Sequence, residues 1–224
     1  MMEYTLIRSR RKTIALCIHN GAVEVRAPLK MPKSEIDKAI RFKEKWIINK
    51  LAEAKERLAL RENFKLTYGD AVFYRGQPCI ITAQSGNRAG FDENRVCIPA
   101  DLSAEQIKAV CMQLYYLLAK RDLPAKTYSR AEQMGVQPKA VKINSAKTRW
   151  GSCSAKKSIN FSWRLIMAED AVIDYVIVHE LAHLIEMNHS ARFWSIVNQY
   201  LPDFSLRKAK LKELQQKLSK EKWD

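Results

Sequence analysis

The stretch that decides the fold is His179-Glu180-Leu181-Ala182-His183-Leu184-Ile185-Glu186-Met187-Asn188-His189, which holds three of the chain's four histidines. Val172, Tyr175, Val176, Val178 and Leu184 supply apolar positions at helical spacing, so His179 and His183 stand at i and i+4 on one face. Side chains so placed lie about 5–6 Å apart at Cβ, and both imidazoles can converge on one ion. Neutral imidazole is a good zinc ligand. Glu180, one step after the first histidine, points beside such an ion, where a carboxylate can take a proton from metal-bound water.

The third histidine completes the set. Asn188 suits a left-handed residue ending the helix, and Ser190 suits the cap of the next one. His189 then stands in the reversal between two helices, where the chain can swing it back over the first. Three histidines leave the fourth zinc position for water, which separates catalytic sites from closed structural ones. Two rival ligands stay open. The Cys153 thiolate would close the site and make the zinc structural. Glu186 shares the helical face three residues after His183, but a straight helix carries it past the metal. The step from His183 to His189 matches the metzincin spacing, yet Glu186 stands where that pattern has glycine and no methionine follows for a Met-turn. The remaining histidine, His19, reads as an ordinary core or surface group.

Working outward, the first thirty residues predict short strands at Tyr4–Ile7, Thr13–Ile18 and Ala22–Arg26, with a tight turn at His19-Asn20-Gly21. A long helix follows, capped by Ser34 with Asp37 at the capping-box position; Ile36, Ile40, Ile47, Leu51, Ala54 and Leu58 mark its buried face. Strands return from Lys65 to Pro99. Ser103 opens a second helix through Leu118, which Pro124 should break or kink before it resumes towards Met134. Ala140–Ile143 and Ser158–Trp163 read as strands and Trp150–Ser154 as a turn or bulge. Three helices close the chain, at about Asp170–Met187, Ser190–Leu201 and Ser205–Lys220. The boundary falls near residue 100, giving a strand-rich accessory region with a long helix (1–100) and a helical, metal-bearing region (101–224).

The chain has 224 residues with 47% apolar content, enough for one large domain or two small ones. With 28% charged and 9% aromatic residues, disordered, collagenous and coiled-coil classes are excluded. No apolar run approaches a membrane span, and no membrane association is expected. The opening MMEYTLIRSRRK puts its charges after a brief apolar patch, the wrong order for a secretory signal. The five cysteines, Cys17, Cys79, Cys97, Cys111 and Cys153, are odd in number and irregularly spaced, so the expected compartment is the reducing cytoplasm. Thirty-nine basic residues against 24 acidic give +15, which attracts polyanions; the choice is between solvated helix faces and a nucleic-acid surface.

The stretches Thr148-Arg149-Trp150-Gly151-Ser152-Cys153-Ser154, Asn160–Leu165, Asp174–His183, and Asn188-His189-Ser190 through Phe193-Trp194 resemble the YgjP-like metallopeptidases. These are small bacterial zincins related to the SprT and Wss-type proteases. The resemblance covers nearly the whole chain and is specific over residues 148–194. It implies a compact α+β zincin core, zinc on His179, His183 and His189, Glu180 as catalytic base, and peptide or protein substrates. Relatives of the SprT and Wss type act on proteins attached to DNA, with which the +15 charge is compatible. Ile159–Trp163 alternates and is a candidate edge strand for pairing with an extended substrate. Arg149 is read as structural in preference to an oxyanion donor. Trp150, Phe193 and Trp194 are read as core. Ser152 and Cys153 are not needed as nucleophiles, because activated water serves.

The expectation is thus an α+β, minimal zincin-like metallopeptidase with Zn2+ as cofactor. The competing classes are a basic nucleic-acid-associated protein with a structural zinc, and an amidase acting on a small molecule.

Overall fold

A computed structural model of the chain describes residues 2–19 and 21–223. The chain is α+β and divides into two compact units, Met1–Phe64 with Ser219–Lys222, and Lys65–Leu218 with Trp223–Asp224.

In the first unit, β1 (Thr5–Ser9), β2 (Ala15–His19) and β3 (Ala22–Pro28) form a sheet in the order β1-β3-β2. β3 runs parallel to β1 and antiparallel to β2, with Val25 between Leu6 and Leu16. Period-2 alternation buries Val23, Val25 and Ala27 on one face, against Ile36, Ile40 and Ile47. The expected tight turn includes Asn20, which lies outside the described residues. The expected single helix is two: α1 (Lys33–Phe42) and α2 (Glu44–Glu62), separated at Lys43 with φ −103° and ψ 12°. Pro32, whose ring fixes φ, starts α1, so Ser34 already lies inside the helix. The Asp37 carboxylate accepts a hydrogen bond from the Tyr4 hydroxyl (2.9 Å) in place of closing a capping box. Burial along α2 stops at Ala54. Leu58 is exposed, because the helix outruns the small sheet it covers.

The second unit begins with β4 (Ala71–Tyr74), β5 (Gln77–Gln84), β6 (Gly90–Asp92) and β7 (Arg95–Pro99), ordered β4-β5-β7-β6. Arg75 and Gly76, both at positive φ, make the two-residue turn between β4 and β5, the backbone that a right-twisted hairpin favours. The change from strands to helix near residue 100 falls inside this unit. There α3 (Ala104–Gln133) opens with a complete capping box between Ser103 and Gln106. Pro124, expected to break or kink this helix, does not break it. A proline inside a helix costs about 3 kcal/mol. The buried stripe Ile107, Cys111, Tyr115, Ala119, Leu123, Thr127 and Ala131 continues on both sides of it and holds the helix in register. The Thr127 hydroxyl donates to the Leu123 carbonyl (2.7 Å) just beyond the proline.

A third sheet joins β8 (Ala140–Asn144), β9 (Gly151–Cys153) and β10 (Ser158–Ser162) in the order β8-β10-β9. β10 pairs on both sides, parallel with β8 and antiparallel with β9, so Ile159–Trp163 is not an edge. Its apolar residues explain why: Ile159 and Phe161 are fully buried, as a central strand requires. The edge beside the histidine helix is β9, within the segment expected to be a turn or bulge. A 3-10 turn (Trp163–Met167) leads into α4 (Asp170–Ala182), followed by α5 (Ala191–Tyr200) and α6 (Phe204–Leu218). Asp174 of α4 accepts a two-pronged hydrogen bond from Arg130 of α3 (2.9 and 2.6 Å) and another from Arg207 of α6 (3.2 Å). That one carboxylate thereby ties three helices together. Among the described residues no helix is long and apolar enough to cross a membrane.

Candidate metal centre

α4 is apolar nearly all round, with Val172, Ile173, Val176, Ile177, Val178 and Leu181 buried, so beyond its exposed first residues, Asp170 and Ala171, it runs through the core. His179 lies in that last turn and His183 is its C-cap. The helix stops five residues before the expected end at Met187, and Asn188 is not among the residues at positive φ. Short turns close it instead: Leu184 N–H donates to the Leu181 carbonyl (2.9 Å), and Ile185 and Glu186 N–H both donate to Ala182 (3.0 and 2.9 Å). The chain then reaches Ser190, whose hydroxyl caps α5 by accepting from Phe193 N–H (3.3 Å), as expected.

This route brings His189 back over the helix end. The ligating nitrogens of His179, His183 and His189 all lie within 4.8 Å of one another. His179 Nε2 and His189 Nε2 are 3.1 Å apart. Phe193, fully buried, forms the floor beneath all three, its ring centroid 4.9, 4.5 and 4.8 Å from those of His179, His183 and His189. Trp194 flanks the cluster at 5.8 Å from both His179 and His189 and stacks on Phe204. The sequence reading placed Phe193 in the core without seeing that it seats the histidines.

The donor chemistry fits a metal ion. Burial, reinforced by His183, His189 and Lys208, pushes His179 down to about 3, so the ring stays neutral. Burial also lowers His183. His183 Nδ1 lies 3.2 Å from the Glu186 carbonyl, which can only accept, so Nδ1 carries the proton and Nε2 keeps its lone pair. Two imidazole nitrogens 3.1 Å apart need a shared proton or a cation between them, and a d-block cation satisfies all three rings at once. His179 Nδ1 is buried with no hydrogen-bond partner among the described residues, so the ring's Nε2 is its route to an ion.

The Glu180 carboxylate lies against Gly151 of β9, and only 6% of the residue is exposed. Burial pushes its carboxyl up to about 8, and the Arg149 charge draws it the other way. Arg149 itself is exposed. Gly151 of β9 lies directly against the Glu180 carboxyl, closer than any side chain would permit. The sequence reading missed this contact; the signal available was a glycine inside a segment that alternates as a strand. Neither rival ligand belongs to the convergent group. The Cys153 thiol hydrogen-bonds the Ser154 carbonyl (3.7 Å), and burial, with Glu180 adding, pushes it up to about 11. Glu186 contributes its carbonyl to His183.

The α+β chain thus brings together three converging imidazoles that could hold a metal ion, with a buried carboxylate next to the first of them in the chain. The model of the YgjP-like metallopeptidase domain matches residues 12–214, and the chain belongs to that family. Among solved structures it is similar to the metallopeptidase zymogen abylysin of Pyrococcus abyssi, at 24% identity over 45% of this chain and 98% of that one, with a TM-score of 0.39. It is also similar to the zymogen jannalysin of Methanocaldococcus jannaschii, at 20% identity over 42% of this chain and 96% of that one, with a TM-score of 0.37. A comparison with curated proteins finds no match.

Proposed function

We propose that this metallopeptidase is zinc-dependent, with His179, His183 and His189 holding the ion and Glu180 serving as general base. The observation that carries the reading is the convergence of three imidazoles, with a buried carboxylate following the first of them in the chain. A zinc ion in such a set supplies Lewis acidity that polarises a peptide carbonyl and acidifies water. Glu180 would accept the proton of the attacking water and deliver it to the leaving amine. Phe193 fixes the rings from below, and the His183 hydrogen bond to the Glu186 carbonyl fixes that ring's tautomer. β9, an edge strand beside α4, offers main-chain groups to an extended substrate, the role that β10 cannot fill.

The test is hydrolysis of an unstructured protein such as casein by the zinc-loaded chain. Glu180→Gln is expected to lose at least about 100-fold in rate while keeping its zinc; unchanged hydrolysis removes Glu180 from the base role. A second reading, action on proteins bound to DNA, rests on the net charge of +15. It requires a salt-dependent shift of duplex DNA that persists after chelation.

A further inference from the structure

The first unit carries a feature that peptide hydrolysis at the histidine cluster does not use. A groove of about 380 Å³ runs along β2, lined by Ile14, Leu16, Ala39, Phe42, Lys43 and Trp46. One wall is β2, an outer strand of its sheet, whose far side has no paired strand among the described residues. The other wall is the junction of α1 and α2, where Phe42, Lys43 and Trp46 come together because the helix breaks at Lys43. Phe42 is 83% exposed and Trp46 41%, on a unit small enough to need its apolar groups inside. The Lys43 ammonium stands 5.3 Å from the centre of the Phe42 ring.

Three properties of the groove select its occupant. An open strand edge presents a row of backbone donors and acceptors that only another polypeptide backbone matches. The apolar lining with two large rings takes a bulky aliphatic or aromatic side chain. The charge is one-sided: residues 1–64 hold 15 lysines and arginines against 8 acidic residues, a net of +7. Of the acidic groups, Glu24 and Glu53 are already paired with Arg26 and Lys50, and Asp37 accepts from Tyr4. The basic run Arg10-Arg11-Lys12 leads directly into the Ile14 end of the groove, and Lys43, followed in the chain by Glu44, lines the opposite wall.

We propose that this groove docks an extended segment of the substrate polypeptide, an apolar residue flanked by aspartates and glutamates, which adds to β2 as a further strand. The identity of the docked chain as a substrate rests on the peptidase reading above. The docking itself does not. Phe42 and Trp46 hold the apolar side chain, Lys43 and the basic run meet the flanking carboxylates, and β2 supplies the main-chain pairing.

The experiment uses the full-length Glu180→Gln protein, so that binding is read without cleavage. The probe is a fluorescein-labelled acidic dodecapeptide with a central Val-Phe-Val, followed by fluorescence anisotropy. Saturable binding is expected, weakened about tenfold or more by Phe42→Ala and by Trp46→Ala. Lys43→Glu and added salt are expected to weaken it as well. Because Phe42, Trp46 and Lys43 are exposed, these changes leave the buried core intact, and circular dichroism of each variant checks it. The same peptide with lysines in place of its acidic residues is expected to bind about tenfold more weakly. No binding of the acidic peptide, binding unaffected by all three substitutions, or a preference for a single-stranded oligo-dT of equal charge would overturn the proposal. Binding at the groove in a protein that hydrolyses nothing would leave the docking standing and remove the peptidase reading instead.

Discussion

A Cβ placed on Gly151 would lie 2.5 Å from Oε1 of Glu180 and 2.7 and 2.8 Å from its Cγ and Cδ. The glycine therefore shapes the space that the carboxylate occupies, and the carboxylate cannot keep its position beside an alanine. Gly151→Ala is expected to cost about 1–3 kcal/mol of stability through overpacking. The cost should nearly vanish in a Glu180→Ala background, where the conflicting atoms are gone. Urea denaturation of the four proteins of this cycle measures the coupling. An equal cost in both backgrounds assigns the glycine to the strand alone. In the zinc-loaded enzyme the same substitution is expected to slow hydrolysis about 100-fold, the penalty of a reacting group displaced by about 1 Å.

Zinc should stabilise the folded chain by mass action. At a free concentration 100 times the dissociation constant, the gain is about 2.7 kcal/mol. Thermal denaturation with zinc and with a chelator measures it. His189 is exposed, so His189→Ala should leave the metal-free chain as stable as before and abolish most of the zinc-dependent increment. A His189→Ala protein that gains as much from zinc as the parent would take His189 out of the ligand set.

Asp174 holds Arg130 and Arg207, and through them joins α3 and α6 to the helix bearing His179. Replacing it by alanine takes the shared carboxylate from two half-buried guanidinium groups, leaving Arg207 only Asp203 and the Ala171 carbonyl and Arg130 only Gln133 among the described residues. Asp174→Ala is expected to lower stability by about 1.5–3 kcal/mol, measured by denaturant midpoint at constant slope. Asp170, paired with Arg75 and Lys126 but about half exposed, should cost well under 1 kcal/mol by the same measurement.

Burial pushes the Cys111 thiol, in the stripe of α3 that faces the core, up to about 12. The folded chain thus holds this proton more tightly than the unfolded one, whose thiol titrates near about 8.5. Stability from this group is intact below that value and falls as pH rises through the interval up to about 12, by at most about 1.4 kcal/mol per pH unit. The stability of the parent is therefore expected to decline more steeply than that of Cys111→Ala between about pH 9 and about pH 11. Parallel slopes would show that the thiol is solvated.

Local pattern made the strands of the first unit, the start of α3 at Ser103, the Ser190 cap and the spacing that brings three histidines together legible in the sequence, because each depends on residues a few positions apart. What escaped depends on residues distant in the chain. Whether β10 is central or an edge is decided by its pairing with β8, a property of neither segment alone. Pro124 signals a break, and packing along the whole of α3 overrides it. Lys43 gives no breaker signal, so one helix was expected where two form. The contact between Gly151 and Glu180 joins residues 29 positions apart, and only the packing of β9 on α4 reveals why a glycine stands there.

X-ray absorption of the zinc-loaded chain tests the central claim most directly. The account predicts one zinc per chain, with three imidazole nitrogens and one oxygen at about 2.0–2.1 Å and no sulfur. A sulfur shell at about 2.3 Å would place Cys153 or another thiolate on the ion and make the site a closed one, and a chain that retains no stoichiometric zinc would contradict the account outright.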